Sequence, residues 1–265
     1  MNNIPKLMTV CALTAALICS CKTAGPQHSP KAEALLARLG KIAESGSHMV
    51  AHQDDLMYGT YWNVNNDGTQ DFSRSDVLSC AGDYPAVVGF ELGEIELGGE
   101  YSLDSVRFDY IREASLAHYG RGGIVTYSWH CRNPLTGESA WDVSSDQVVK
   151  SILPGGEQHE KFMGWMDTLC DWLLTVRTDD GALMPIIWRP WHEHSGSWFW
   201  WGVDGPCTNE DYIALWKMTY DYMVGVKGLD NLIWTISPDV RASLTAEMVE
   251  NSYPGDEYID IIGLD

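Results

Sequence analysis

The chain has 265 residues, of which 45% are hydrophobic and 20% are charged, and its formal net charge is −20. This size supports one large domain with a substantial core. The strong negative charge argues against nucleic acid and anionic membrane surfaces as partners, because both are bound by basic patches. We therefore expect a neutral or weakly charged ligand, and polyanionic ligands are poor candidates.

The N-terminus has the pattern of an export signal followed by a polar linker. An apolar stretch from Leu7 to Cys19 is too short to span a membrane. The sequence Ile18-Cys19-Ser20-Cys21 resembles a bacterial lipobox. We expect residues 1–21 to form a lipoprotein signal with Cys21 as the lipid attachment site, and residues 22–30 to form a tether. The protein would then be exported and anchored to a membrane at the cell surface or in the periplasm, with free secretion as the alternative.

Short apolar runs alternate with helical patterns through the rest of the chain. Strands are predicted at His48–His52, Pro85–Phe90, Gly123–Trp129, Met184–Trp188, Asn231–Ile236 and Tyr258–Leu264, and helices at Pro30–Glu44, Ser105–Tyr119, Gln158–Arg177 and Asp211–Val226. This alternation indicates a parallel sheet with right-handed crossovers. Six such units at this spacing fit an α/β fold of the (β/α)8 TIM-barrel type better than an open sheet.

The sixth predicted strand brings the chain to its last residue, Asp265. A closed barrel needs eight strands, because an open edge leaves backbone donors and acceptors unpaired. We therefore expect residues 31–265 to be an incomplete barrel that lacks about two βα units. The sequence shows no internal repeat and no second domain.

Four cysteines remain after the predicted signal, namely Cys80, Cys131, Cys170 and Cys207. Export would allow disulfide bonds, but four cysteines permit three connectivities and the sequence favours none. There is no CxxC pair and no HExxH motif, so we expect neither a metal site nor another cofactor.

The pattern with the clearest chemistry follows the fourth predicted strand. The segment Arg189–Gly202 places one carboxylic acid, Glu193, among four tryptophans. Aromatic faces stack on the apolar C–H faces of pyranose rings, and a carboxyl group among aromatic side chains loses hydration and can keep its proton at neutral pH. Glu193 is therefore the candidate general acid of a sugar-cleaving site. The alternative is a tryptophan-rich core segment, although two histidines and three small residues interrupt the apolar surface.

Two motifs carry a family resemblance. Arg189–Glu193 (RPWHE), followed by Gly196 and Trp198–Gly202 (WFWWG), closely resembles the acid/base motif of glycoside hydrolase family 26, whose members are mostly retaining β-mannanases. Ala51–Gly59 (AHQDDLMYG) resembles the first-strand segment of that family. The resemblance implies a monomeric endo-β-1,4-mannanase that cleaves mannan, glucomannan or galactomannan by double displacement. Action on xylan or mixed-linkage glucan, or a glycan-binding protein without catalysis, are the alternatives.

The resemblance also implies roles for single residues. The nucleophile of the family is a glutamate at the end of the seventh strand, which would lie beyond Asp265. His192 would help to hold that nucleophile, unless it is a core histidine. Trp198 would stack on the sugar to be cleaved, and Trp201 is a second candidate for sugar contact.

Three further residues are expected to contact sugar. His130, at the end of the third strand, matches a family position that contacts sugar. Trp141, in the following loop, is a candidate stacking platform or, equally, a structural residue. Glu91 ends the second strand and could bind sugar hydroxyls, unless it belongs to a solvated acidic loop.

Overall fold

The computed structural model describes residues 26–67, 72–240 and 244–265. The predicted signal, Cys21 and the first part of the tether lie outside these ranges. Within them, no helix combines the length and the apolar character needed to cross a membrane.

The six predicted strands form one parallel sheet. The strands are β1 (Ala51–Gln53), β2 (Val87–Glu91), β3 (Ile124–Ser128), β4 (Ile186–Arg189), β5 (Leu232–Ile236) and β6 (Ile261–Ile262). They pair in chain order, each parallel to the next. Doubly wound open sheets reverse their strand order at a switch point, whereas barrels do not. The order therefore confirms a TIM-type sheet of six strands, with β1 and β6 at its edges within the described residues.

Helices fill most of the connections between strands. They are α1 (Pro30–Glu44), α2 (Val64–Asp67), α3 (Asp76–Ala81), α4 (Phe108–Gly120), α5 (Val148–Ile152), α6 (His159–Leu173), α7 (Asn209–Tyr220) and α8 (Ala246–Asn251). A π-helical segment, Asp221–Val226, continues α7, and a short hairpin joins Tyr58–Gly59 to Trp62–Asn63. The four predicted helices are present, whereas the short helices α2, α3, α5 and α8 were not predicted.

Several predicted boundaries were wrong. The first strand covers Ala51–Gln53 rather than His48–His52, and the sixth is reduced to Ile261–Ile262. Both are edge strands of the described sheet, so ladder hydrogen bonds define them on one side only. The helix predicted to reach Arg177 ends at Leu173, because the chain then turns and Arg177 forms an antiparallel bridge with Leu183.

Helix α1 closes the amino end of the sheet. Ser29 caps the helix by accepting a hydrogen bond from the backbone of Ala32, and Pro30 occupies the first turn, where no amide donor is needed. Ala32 and Leu35 pack against apolar side chains at the amino ends of the strands, among them Val87, Ile124 and Ile233. Burying each large apolar side chain there contributes about 1.5–3 kcal/mol.

Polar side chains lie at the carboxyl end of the sheet, opposite the end that α1 covers. In β2, Val87 belongs to the cluster beneath α1, whereas Val88 and Phe90 join the larger core shared with the helices. Gly89 lies on the same side as Val87, and a Cβ atom there would lie 2.2 Å from Gln53 Oε1. Glu91 continues this inward row at the carboxyl end. The strands thus carry apolar side chains at one end and functional groups at the other.

Candidate active site

The segment that carries Glu193 is a strained turn rather than a continuation of β4. The strand ends at Arg189. Trp191 and Glu193 adopt φ angles of 50° and 53°. A non-glycine residue in this left-handed region costs about 1–2 kcal/mol. The two residues bend the backbone on either side of His192, so the directions of His192 and Glu193 are set by a turn and not by strand alternation.

Two contacts hold Glu193. Its amide donates to the carbonyl oxygen of Ser237, just after β5, at 2.7 Å. Its Oε2 accepts a hydrogen bond from Trp198 Nε1, also at 2.7 Å. The carboxyl group is partly buried beside the indole ring. Glu193 is therefore fixed by backbone and side chain, and the residue stays partly exposed.

A chain of three polar side chains runs beside this carboxyl group. Glu91 Oε2 lies 2.8 Å from His130 Nδ1, and His130 Nε2 lies 3.2 Å from His192 Nε2. Glu91 and His192 are buried, and His130 is partly so. The carboxyl ends of β2, β3 and β4 thus contribute one member each to a connected polar network.

The network has a defined charge at neutral pH. Burial opposes ionisation of Glu91, but its bonds to His130 and Ser128 outweigh this effect and lower its pKa to about 2. Burial also opposes the charge on His130, but Glu91 outweighs it and raises the pKa of His130. Burial, with the nearby charge of His130, lowers the pKa of His192 to about 3. Glu91 and His130 therefore form an ion pair, and the Nε2–H of His130 donates a hydrogen bond to Nε2 of a neutral His192. The single ring hydrogen of His192 then lies on Nδ1.

An aromatic surface flanks the network. Trp141 stacks on His130 with ring centroids 4.9 Å apart and an interplanar angle of 12°, and Phe199 packs against both rings. Trp141 is 46% exposed. Its ring is thus held by His130 while much of its surface faces solvent, as a stacking platform requires.

The comparisons with known proteins agree with this geometry. A family model described as glycosyl hydrolase family 26 matches residues 26–265. The chain belongs to this family. A solved structure of a GH26 beta-mannanase from Bacteroides ovatus is 45% identical, with a TM-score of 0.82, over 89% of this chain and 66% of that one.

Curated relatives point in the same direction. A mannan endo-1,4-beta-mannosidase of Bifidobacterium adolescentis is 33% identical over 86% of this chain and 22% of its own length. One of Bacillus subtilis is 29% identical over 78% of this chain and 57% of its own length. The chain thus spans less than two thirds of both relatives.

Two of the residues expected to contact sugar have other roles in this family 26 chain. Trp201 is completely buried, with Phe199 stacked on its ring at 4.5 Å and its Nε1 donating to the carbonyl oxygen of His192. Glu91 is 4% exposed. Its Oε1 accepts from the amides of Gly93 and His130, and its Oε2 accepts from Ser128 and bonds His130. Direct sugar contact by Trp201 and Glu91 stays a prediction, and the burial of both side chains argues against it.

Asp265 closes the site on the side of β6. Its carboxylate pairs with Arg189 and accepts a hydrogen bond from Ser237 Oγ at 3.0 Å. Its amide and carbonyl groups bond to the backbone of Pro238 and Val240. Since Ser237 also receives the amide of Glu193, this cluster ties the acid-bearing turn to the ends of β5 and β6.

The sequence did not predict that Ser237 supports the site, whereas Asp54 and Asp55 belong to the AHQDD segment that resembles the family motif. Ser237 is the first polar residue after β5, and this position could have signalled its role. Asp54, at the end of β1, accepts a hydrogen bond from the Tyr58 hydroxyl, and burial, with the charge of Asp104, raises its pKa to about 7. The aspartate pair in the AHQDD motif thus braces a turn, since Asp55 bonds His52 at 2.8 Å.

The cysteines in the described ranges are free thiols. Cys80 is exposed, and Cys131, Cys170 and Cys207 are buried. The same ranges contain no group of three or more His, Cys, Asp or Glu side chains placed to hold a metal ion.

Proposed function

We propose that the complete protein is a retaining endo-β-1,4-mannanase that acts on mannan, glucomannan or galactomannan as a monomer. The observation that carries this proposal is the hydrogen bond from Trp198 Nε1 to the Glu193 carboxylate, next to the aromatic surface of Trp141 and Phe199. Its support from outside the chain is the family, together with relatives that are named as mannan endo-1,4-beta-mannosidases.

In this proposal Glu193 is the general acid. It protonates the glycosidic oxygen as the leaving sugar departs, and then accepts a proton from the water that releases the second sugar. The indole bond to Oε2 fixes the rotamer and leaves Oε1 to face the substrate. Trp141 and Trp198 stack on sugar rings, and His130 is held by Glu91 where it can meet sugar hydroxyls.

Retention requires a second carboxyl group about 5–5.5 Å from the acid. Glu91 cannot serve, because its buried oxygens already accept three hydrogen bonds and form an ion pair with His130. By family resemblance the nucleophile follows a later strand, so we propose no residue of the described ranges for it.

The acid role is tested by Glu193→Ala in the complete protein. We expect hydrolysis of mannan to fall by about 100- to 10,000-fold, as loss of general acid assistance does. An aryl mannoside with an acidic phenol needs little protonation, so its glycosylation step should be spared. Glu250→Ala, at an exposed position, is the control for altered charge. Equal loss on both substrates would contradict the acid role.

The substrate is tested by comparing mannan with xylan and mixed-linkage glucan. Preferred hydrolysis of mannan, with retained anomeric configuration by NMR, is expected. Preferred cleavage of another glycan would show that the proposed substrate is wrong. Binding without any hydrolysis would identify a glycan-binding protein.

We also propose that Cys21 is lipidated and anchors the protein to a membrane. The lipobox-like sequence Ile18-Cys19-Ser20-Cys21 supports this proposal. The protein should fractionate with membranes, and Cys21→Ala should release it or leave the signal uncleaved. An unmodified N-terminus downstream of Cys21 in mass spectrometry would contradict it.

A further inference from the structure

The turn that carries Glu193 cannot hold its shape alone. Trp191 and Glu193 both have left-handed backbone angles, at 50° and 53°. Such conformations persist only where surrounding contacts enforce them. Residues outside the turn must therefore supply these contacts.

Tyr212 of α7 contacts the turn on both sides of the acid. Its hydroxyl group donates to the carbonyl oxygen of Trp191 at 3.2 Å. Its ring stacks on His194 with centroids 4.3 Å apart and an interplanar angle of 18°. Tyr212 is completely buried. One rigid side chain thus holds the residue two positions before Glu193 and the residue directly after it.

His194 is itself fixed in one orientation. Its Nε2 lies 2.9 Å from Ser252 Oγ, at the end of α8. The Ser252 hydroxyl can donate its single proton to a carbonyl oxygen of that helix, Met248 or Val249. In that arrangement His194 Nε2 donates to Ser252, and in the other tautomer Ser252 donates to His194, so the bond holds the ring in either case. The ring stacked on Tyr212 cannot rotate without losing this bond.

We propose that Tyr212 is a positioning residue for the general acid: by holding Trp191 and His194, it sets the direction of the Glu193 carboxyl group. This inference deepens the proposed function and rests on it. Neither the hydroxyl bond nor the ring stack touches the space open to substrate, because Tyr212 and His194 are both buried. Tyr212 thus acts on the reaction only through the position of Glu193.

The test is Tyr212→Phe in the complete protein, which removes the bond to Trp191 and keeps the stack on His194. A small displacement of a catalytic group is costly, so we expect kcat on mannan to fall by about 10-fold with little change in KM. In the glycosylation step, measured in the pre-steady state, the loss should be smaller on an aryl mannoside with an acidic phenol, because that leaving group needs little protonation. A uniform structural effect would lower both rates equally.

Tyr127→Phe is the matched control. Tyr127 is also completely buried, and its hydroxyl donates to Ser115 Oγ on α4. The control therefore loses one buried hydrogen bond without touching the turn, and its ratio of activities on the two substrates should stay unchanged. The proposal would be overturned by an unchanged kcat for Tyr212→Phe or by an equal loss on both substrates. It would also be overturned if the ratio of activities on the two substrates changed as much in Tyr127→Phe as in Tyr212→Phe.

A measurement independent of activity separates this proposal from the proposed function. The Trp198 indole proton bonds the Glu193 carboxylate, so its NMR resonance reports where that carboxylate lies. The resonance is assigned as the one lost in Trp198→Phe. It should move in Tyr212→Phe toward its position in Glu193→Ala, and stay in place in Tyr127→Phe. An unmoved resonance in Tyr212→Phe would overturn the positioning role, whether or not the protein cleaves mannan.

Discussion

Replacing Glu91 by Gln should destabilise the protein strongly although it removes no volume. The variant loses the charge that pairs with His130 at 2.8 Å and turns one of the two accepting oxygens into a donor. The pKa of Glu91 falls from 4.5 to about 2 in the folded protein. At about 1.36 kcal/mol per pKa unit, the ionised form contributes about 3 kcal/mol to stability at neutral pH.

The loss of stability in Glu91→Gln should become smaller as the pH falls. A carboxyl group with a lowered folded pKa stabilises the protein above its unfolded pKa, and this contribution disappears as the pH falls through the folded value. The difference between native protein and Glu91→Gln should therefore be about 3 kcal/mol at pH 7 and shrink below pH 4.5, as Glu91 is protonated toward its pKa of about 2.

Urea unfolding followed by tryptophan fluorescence measures this difference. Glu250→Gln is the control, because it removes the same charge from an exposed position, and it should change the free energy of unfolding by less than about 0.5 kcal/mol. A loss below about 1 kcal/mol for Glu91→Gln, or one that stays constant between pH 7 and pH 3, would refute the ionic network.

Truncating Trp201 and truncating Trp141 should have different effects, because Trp201 is buried and Trp141 is partly exposed. Trp201→Ala should lower the free energy of unfolding by about 3–5 kcal/mol, whereas Trp141→Ala should leave it nearly unchanged and weaken binding of manno-oligosaccharides by about 10-fold in calorimetry. Burial lowers the pKa of His192 and of His194 to about 3, so the unfolded chain binds more protons below pH 6.5. Stability should therefore be complete above that pH and fall progressively toward pH 3 in thermal melts, and a flat profile would contradict buried neutral histidines.

Much of the fold could be predicted because local patterns and tertiary contacts agree. Helix α1 was predicted with its observed bounds, Pro30–Glu44, since Ser29, Pro30 and the apolar spacing all indicate the same helix. The buried strands β2, β3 and β5 were predicted to within two residues at each end. Their apolar runs reflect burial on both faces.

The site was predictable in its members more than in their roles. Glu193, Trp198 and Trp141 lie where the motif and the strand ends indicated. The sequence could not show that Phe199 stacks on Trp201, because this contact depends on the conformation of the turn between them. It also could not show that the Glu91 carboxylate accepts a hydrogen bond from the amide of His130, which is distant in the chain. Tryptophans in one sequence motif can therefore occupy different environments in the fold.

The orientation of the acid lies furthest from what a sequence can show. A glycine would have marked a left-handed position, but here Trp191 and Glu193 occupy such positions, and neither residue type signals one. These conformations are enforced from outside by Tyr212 and Ser237. In the proposed mechanism the motif supplies the proton donor, whereas contacts from helix α7 and from the end of strand β5 set its direction. A substitution in either element should alter the reaction without touching the motif.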